Sequence, residues 1–180
     1  MKIGIISDTH DDLQNVRKAI EIFKKENVSL VIHAGDYVFP GVVQEFKELQ
    51  NKAQLIGVYG NNDGEKIGLL NKFKEIGGDL RGDFAEKEID GLKFGIYHGT
   101  NEELKQAVSK SNEYDIFVCG HTHNKDERRI GRTQILNPGT AHQNFPDKDG
   151  RIEKDPTVII YDTIVQRYEF ISLKESRRII

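Results

Sequence analysis

Short apolar runs alternate with amphipathic stretches along the first third of the chain. Residues 2–7 form an isoleucine-rich run that breaks off into polar residues, which is typical of a buried strand. In the next stretch, 13–25, the apolar positions that recur at helical spacing are Leu13, Val16, Ile20 and Phe23. The alternation continues with a predicted strand at 28–33, a predicted helix at 42–50 and a predicted strand at 54–59. Such βαβαβ order predicts a mostly parallel sheet with right-handed crossovers.

The rest of the chain is richer in strands than in helices. Asp90-Gly91 stands between two strand-like runs and predicts a hairpin. The predicted strands lie at 85–89, 92–97, 115–119, 133–137, 157–162 and 165–172, and the predicted helices at 67–75 and 102–110. We therefore expect two sheets. The length of 180 residues predicts a single domain, 1–180, with one sizeable core.

A polar, turn-rich stretch separates two of these strands, at 140–156. Its length and composition predict a long loop rather than a linker, because strands follow it. We expect this loop to form a mobile rim beside the functional site.

Composition narrows the function classes. The chain is 37% hydrophobic and 31% charged, which predicts a folded, soluble protein. Its net charge of −3, with scattered Lys and Arg, does not favour nucleic acid as a partner. The single cysteine, Cys119, excludes a disulfide framework and favours a reducing, cytoplasmic location. The sequence has no signal-peptide pattern and no apolar run long enough to cross a bilayer, so no membrane association is expected.

Five short polar segments each follow an apolar strand. Four of the six histidines fall in these segments, at the strand ends where an α/β sheet presents its binding crevice. Any one segment could be an ordinary turn or helix cap, but five together indicate a site. The segments are Asp8-Thr9-His10, Gly35-Asp36, Gly60-Asn61-Asn62-Asp63, His98-Gly99 and Gly120-His121-Thr122-His123.

These residue types suit one kind of chemistry. Imidazole, carboxylate and amide groups bind divalent transition metals, whereas a Mg²⁺ or Ca²⁺ site would be mostly oxygen. On an extended segment, side chains at i and i+2 point the same way, so each His and its partner two residues away could reach one cavity.

The five segments occur in the order DTH, GD, GNND, HG and GHTH. This series resembles the motifs of the calcineurin-like metallophosphoesterase superfamily, and specifically those of its small single-domain phosphodiesterases of the YfcE type. The later segment Asn137-Pro138-Gly139-Thr140 looks like the family's NPGS turn, so the resemblance covers nearly the whole chain. It implies an α/β fold, a four-layer α-β-β-α sandwich of two mixed sheets flanked by helices.

The resemblance also implies two divalent metal ions per chain. Manganese is the first expectation, with Ni, Fe, Zn or Co as alternatives. One ion would be held by Asp8, His10, Asp36 and His123. The other would be held by Asp36, Asn61, His98 and His121, with Asp36 as the bridge.

Two positions depart from the wider superfamily, which often has GDxxD and GNH followed by an acid. Here the second Asp of the first motif is replaced by Phe39, and the His is replaced by Asn62. We expect Asn62 to act in catalysis by orienting a phosphate oxygen, because an amide cannot deliver a proton to the leaving group. All seven ligand positions remain filled.

The sequence thus predicts a dinuclear-metal phosphoesterase that hydrolyses small phosphodiesters through a metal-bridging hydroxide. Three alternatives stay open: a catalytically weak scaffold or protein-interaction module on the same fold, a metal-dependent nuclease, and a protein phosphatase. The expected partner is a small phosphate-ester substrate, and a homo-oligomer is left open.

Four further polar residues have simpler explanations. His33 ends an apolar strand, which favours a packed, hydrogen-bonded residue over a ligand. His142 is interpreted as a surface residue, although it could reach a substrate. Cys119 is interpreted as a small apolar filler rather than a nucleophile. Asp63 is expected to form the turn and to support the metal ligands from behind.

Overall fold

The first of two mixed sheets joins the beginning of the chain to its end. The computed structural model describes residues 1–143 and 155–174. In spatial order, the first sheet contains β11 (Arg167–Ser172), β10 (Thr157–Asp162), β1 (Lys2–Ile6), β2 (Leu30–His33), β3 (Gln54–Gly57) and β4 (Asp79–Leu80). Strands β1 to β4 are parallel, whereas β10 and β11 run antiparallel to their neighbours. The predicted parallel βαβαβ unit is confirmed, with an antiparallel pair added at one edge.

The second sheet is formed by the middle of the chain. Its spatial order is β5 (Phe84–Ile89), β6 (Leu92–Tyr97), β7 (Ile116–Val118), β9 (Thr133–Pro138) and β8 (Lys125–Ile130). The three central strands are parallel and the two edge strands are antiparallel. The turn between β5 and β6 is the hairpin predicted from Asp90-Gly91.

Two of the helices begin at residues whose side chains satisfy free backbone N–H groups. The side chain of Asp12 accepts from Asn15 N at 3.0 Å, and that of Asn101 accepts from Leu104 N at 2.7 Å. Both residue types are favoured N-caps. The helices are α1 (Leu13–Lys25), α2 (Gly41–Glu45), α3 (Lys66–Glu75) and α4 (Glu102–Lys110).

Side-chain alternation along the strands separates three apolar clusters. In β1, Ile3 and Ile5 face the second sheet, whereas Ile6 faces the cluster formed with α1, α2 and α3. In β7, Phe117 lies in the outer cluster that also contains Val108 of α4. The layers are therefore helices, first sheet, second sheet and helix. This confirms the expected four-layer α-β-β-α sandwich.

Three element predictions need correction. The helix predicted at 42–50 is the short α2 followed by a 3₁₀ turn at Phe46–Leu49. The strand predicted at 165–172 begins at Arg167. Strands β4 and β8 were not predicted.

Most of the loop predicted at 140–156 lies outside the described residues. Within the described residues, no helix is long and apolar enough to span a membrane.

Candidate metal centre

The five polar segments of the sequence meet at one edge of the sandwich. Three segments follow the carboxyl ends of β1, β2 and β3, which are parallel in the first sheet. The other two follow the carboxyl ends of β6 and β7, which are parallel in the second sheet. Parallel strands of a sheet present these ends along one edge, and the two sheets here lie face to face. The topology therefore gathers side chains that are far apart along the chain.

Four of the predicted ligands form one compact group. One potential ligand atom from each of Asp8, His10, Asp36 and His123 lies within 4.8 Å of all the others. His123 Nε2 is 3.2 Å from Asp8 Oδ1, and His10 Nε2 is 3.1 Å from His123 Nε2. Two carboxylates and two imidazoles thus face a common point.

The other predicted ligands lie beside Asp36. His98 Nε2 is 3.3 Å from Asp36 Oδ2 and 3.1 Å from Asn61 Oδ1. The ring of His121 lies against that of His98, with 5.3 Å between ring centroids. Asp36 Oδ2 is also 3.6 Å from His10 Nε2 of the first group. Asp36 Oδ2 therefore adjoins both groups, and Asp8 Oδ1 lies slightly farther from the same two histidines, 3.8 Å from His10 Nε2 and 3.9 Å from His98 Nε2.

The carboxylate of Asp8 is suited to bind a divalent cation. Its Oδ2 accepts from Ser7 Oγ at 2.6 Å and from His121 N at 3.1 Å. Its Oδ1 is fully buried, faces the histidines, and has no hydrogen-bond partner among the described residues. A buried acceptor without a partner is costly, and bound metal is one way to satisfy it. The donor set and this oxygen are compatible with divalent ions.

Electrostatics keep both aspartates ionised. Burial by itself would raise the pKa of Asp8, but the imidazoles of His10, His123 and His98 outweigh it and lower that pKa. The pKa of Asp36 is likewise lowered, because His98 and Asn62 outweigh the opposite effect of burial. Ionised carboxylates are the form that binds metal.

One histidine is held in a tautomer suited to metal binding. His98 Nδ1 lies 2.8 Å from the carbonyl oxygen of Ala34. A carbonyl only accepts hydrogen bonds, so Nδ1 donates and the neutral ring has its lone pair on Nε2. This nitrogen faces Asp36 and Asn61, and a backbone partner of this kind is common behind ligating histidines.

The backbone reaches this arrangement through left-handed turns, not through strand alternation. Five of the seven candidate ligands have positive φ: Asp8 (53°), His10 (39°), Asp36 (60°), His121 (70°) and His123 (57°). The expectation that each pair two residues apart lies on an extended segment was therefore wrong, although Asp8 and His10 do converge on one group. Non-glycine residues rarely adopt such angles, and clusters of them mark functional sites.

The carboxylate of Asp63 holds two loops of the site together through hydrogen bonds, as expected. It accepts from Asp36 N at 3.0 Å, Val38 N at 2.8 Å and Gly60 N at 2.7 Å. These bonds join the loop after β2 to the loop after β3, which carry Asp36 and Asn61. Sequence reasoning missed two similar supports, Ser7 and Thr140, since isolated hydroxyl residues give no signal.

Comparison with known proteins identifies the family. Residues 1–163 match the calcineurin-like phosphoesterase superfamily domain. The chain belongs to this superfamily. It is 43% identical over 175 residues to "Phosphodiesterase MJ0936" of Methanocaldococcus jannaschii, covering 97% of this chain and 100% of that protein. The resemblance inferred from the five segments is confirmed.

Solved structures agree with the calcineurin-like fold. A structure described as a novel archaeal phosphodiesterase has a TM-score of 0.84 at 43% identity, covering 96% of this chain and 99% of that one. The phosphoesterase Yfce from E. coli has a TM-score of 0.66 at 17% identity, covering 97% and 100%. At that identity the second likeness supports the fold alone.

The remaining predicted residues lie at or near the calcineurin-like site. The amide of Asn62 donates from Nδ2 to Asp36 Oδ2 at 2.7 Å. His142 is partly buried, with its ring centroid 6.1 Å from that of His10. His33 is fully buried and stacks on Tyr37, and Cys119 is buried with its thiol pKa raised to about 12 by burial. The interpretations of His33 and Cys119 are confirmed.

Proposed function

We propose that this protein is a phosphodiesterase that uses two divalent metal ions to hydrolyse small phosphodiesters. The observation that carries the proposal is the position of Asp36 Oδ2, 3.6 Å from His10 Nε2 and 3.3 Å from His98 Nε2. An oxygen between two imidazole-rich groups is suited to bridge two ions. The relative from Methanocaldococcus jannaschii is named a phosphodiesterase, which supports the same substrate class.

The seven candidate ligands divide between the two ions as the resemblance implies. Asp8, His10 and His123 would hold one ion, and Asn61, His98 and His121 the other, with Asp36 shared. When bound, such ions activate water as a nucleophile and neutralise phosphoryl oxygens. We propose manganese as the first metal to test, with Ni, Fe, Zn or Co as alternatives.

The protein's own residues orient the ligands and the substrate. Asn62 holds Asp36 through one amide N–H, which leaves a second N–H and the amide oxygen for the substrate. We propose that this second N–H orients a phosphate oxygen. His142 lies close enough to His10 to border the same space.

The alternative functions are less well supported. A scaffold without activity would tolerate loss of ligands, yet all seven ligand positions are filled and gathered at one edge. A nuclease is less favoured because the chain carries a net charge of −3. We propose a cytoplasmic location on the basis of the single buried, unpaired cysteine.

An ester panel tests this function. Metal-loaded protein is assayed with phosphodiesters and phosphomonoesters that share a p-nitrophenolate leaving group, together with single-stranded DNA and a phosphopeptide. We expect turnover of the diesters to exceed that of the monoesters, and no turnover after Asp36→Ala. Turnover confined to DNA or to the phosphopeptide would refute the proposal in favour of the corresponding alternative.

A further inference from the structure

A cleft lies directly beside the candidate metal centre and is not explained by metal binding. Its volume is about 360 Å³, within the range of about 300–1,000 Å³ that small-molecule sites occupy. Asn61 lines it and also contacts His98, so the cleft and the second metal group share a residue. A molecule bound in the cleft would reach the reacting phosphate.

Both sheets contribute walls to this cleft. Tyr59 follows β3 of the first sheet, and Lys66 begins α3. Tyr97 ends β6 of the second sheet, and Leu104 lies in the first turn of α4. The cleft therefore lies at the seam where the two sheets present their strand ends.

The walls combine aromatic, apolar and hydrogen-bonding surface. Leu104 is 48% exposed, which is high for a large apolar side chain beside a functional site. Tyr59 is partly exposed, and Lys66 Nζ lies 4.8 Å from the centre of its ring. Thr100 is exposed and donates to Asn61 Oδ1 at 3.4 Å. An aromatic face with nearby polar groups suits a planar organic group that also forms hydrogen bonds.

The charges of the cleft distinguish between two kinds of occupant. Lys66 Nζ is 3.5 Å from Asp83 Oδ1, and both residues line the cleft. Asp63 is a further acid in the lining, so the lysine charge is offset. A second phosphate group would meet no excess of positive charge there. A neutral organic group fits this surface better.

We propose that the cleft lined by Tyr59, Tyr97 and Leu104 binds one esterified organic group of the phosphodiester, a planar aromatic group of the nucleoside class. This inference rests on the proposed phosphodiesterase function and names its substrate class. The aromatic and apolar walls contact the flat face of the group. Lys66 and Thr100 supply polar contacts at its edge.

Two diesters with the same leaving group test the proposal. One is methyl p-nitrophenyl phosphate, and the other is the p-nitrophenyl ester of thymidine monophosphate. Because leaving group and metals are common to both, the ratio of their kcat/KM values reports on the retained group alone. We expect the wild type to favour the nucleoside ester by about tenfold or more, the scale of one base stacked on an aromatic side chain.

Leu104→Ser and Tyr59→Leu are expected to lower this ratio several-fold. Ile164→Ser is the matched control, because Ile164 is an exposed apolar residue, 75% accessible, in the turn that follows β10. That turn lies at the opposite edge of the first sheet, since Lys2 at the start of β1 pairs with Asp162. The control should leave the ratio unchanged.

Calorimetry with thymidine monophosphate provides a readout that does not depend on turnover. Metal-loaded wild type should bind it more tightly than Leu104→Ser does. Equal kcat/KM for the two esters, or a ratio that survives both substitutions, would overturn the cleft assignment and leave the phosphodiesterase function standing. If neither ester is hydrolysed, the proposed function fails. Thymidine monophosphate binding that Leu104→Ser does not weaken would then also reject the cleft.

Discussion

His33 is a buried imidazole that joins two loops of the candidate site. Its Nδ1 accepts from Gly35 N at 3.2 Å, so the ring proton lies on Nε2. That nitrogen is 3.2 Å from Thr9 Oγ1, and Thr9 in turn donates to the carbonyl oxygen of Asp36 at 3.3 Å. The neutral ring therefore connects the segment containing Asp8 and His10 to the one containing Asp36.

This residue makes stability depend on pH. Burial lowers the pKa of His33 to about 3 from an ordinary value of 6.5, while the nearby carboxylates of Asp8 and Asp36 oppose the shift and the imidazoles of His98 and His10 add to it. Below pH 6.5 the unfolded chain gains a proton that the folded chain does not take up, so stability falls as the pH falls. One such group contributes about 2 kcal/mol of loss between pH 7 and pH 5.

The variant His33→Asn isolates this contribution. The asparagine oxygen can still accept from Gly35 N, but the side chain does not titrate. Urea unfolding with a chelator present should show that the wild type loses about 2 kcal/mol more than the variant between pH 7 and pH 5. Parallel stability curves for the two proteins would mean that His33 is not held neutral.

Asn62 is expected to make the reaction sensitive to the leaving group. A general acid typically contributes about 10²–10⁴-fold, most of all for strongly basic leaving oxygens, and an amide cannot supply a proton. Across diesters of graded leaving-group pKa, the wild type should show a steep dependence of kcat/KM. Asn62→His should flatten it. A shallow wild-type dependence with chemistry rate-limiting would mean that another group donates the proton, and His142 is the first to examine.

At the residue scale, the sequence predicts which side chains meet but not how the backbone turns. The ligand types and their order after apolar strands could be read directly. The positive φ angles of Asp8, His10 and Asp36 could not, because aspartate and histidine adopt such angles only when surrounding contacts impose them. Those contacts come from distant residues such as Asp63 and Thr140.

At the scale of elements, buried strands were predictable and edge elements were not. Strand β7 is an apolar run, whereas β8 has the sequence KDERRI, with mostly exposed side chains and no apolar alternation. Strand β4 has only two residues, too few to show a period. Both depend on pairing with a neighbour, β9 and β3 respectively.

Close approach of the loops after β7 and β1 depends on a glycine. A Cβ added to Gly120 would overlap Ser7 Oγ and lie 2.6 Å from Asp8 Oδ2. We expect Gly120→Ala to destabilise the chain by about 1–3 kcal/mol and to lower metal content, because the loops carrying Asp8 and His121 must separate. Urea unfolding and elemental analysis measure both effects.

Gly64→Ala is the control for this change. Among the described residues other than its chain neighbours, none has an atom within 4 Å of the corresponding Cβ, and Gly64 is exposed. The control should match the wild type in stability and metal content. If Gly120→Ala behaves like the control, the two loops are not held together by close packing at this position.

At the scale of the whole molecule, the fold brings two groups of ligands from two sheets to one edge. The four-layer architecture could be predicted from the resemblance. The order of the strands is given by their hydrogen-bonded pairing in the structure. That residues 1–180 form a single domain stays a prediction, as does the role of the loop at 140–156. We propose that the two groups work as one dinuclear centre bridged by Asp36.

Titration of metal-stripped protein with Mn²⁺ tests this dinuclear centre. The rate of hydrolysis of bis(p-nitrophenyl) phosphate is measured as Mn²⁺ is added, at a protein concentration well above the dissociation constants. We expect little hydrolysis at one equivalent per chain and a rise to a plateau at two. A plateau reached at one equivalent, or no hydrolysis at any Mn²⁺ level, would show that the two groups do not form a dinuclear catalytic centre.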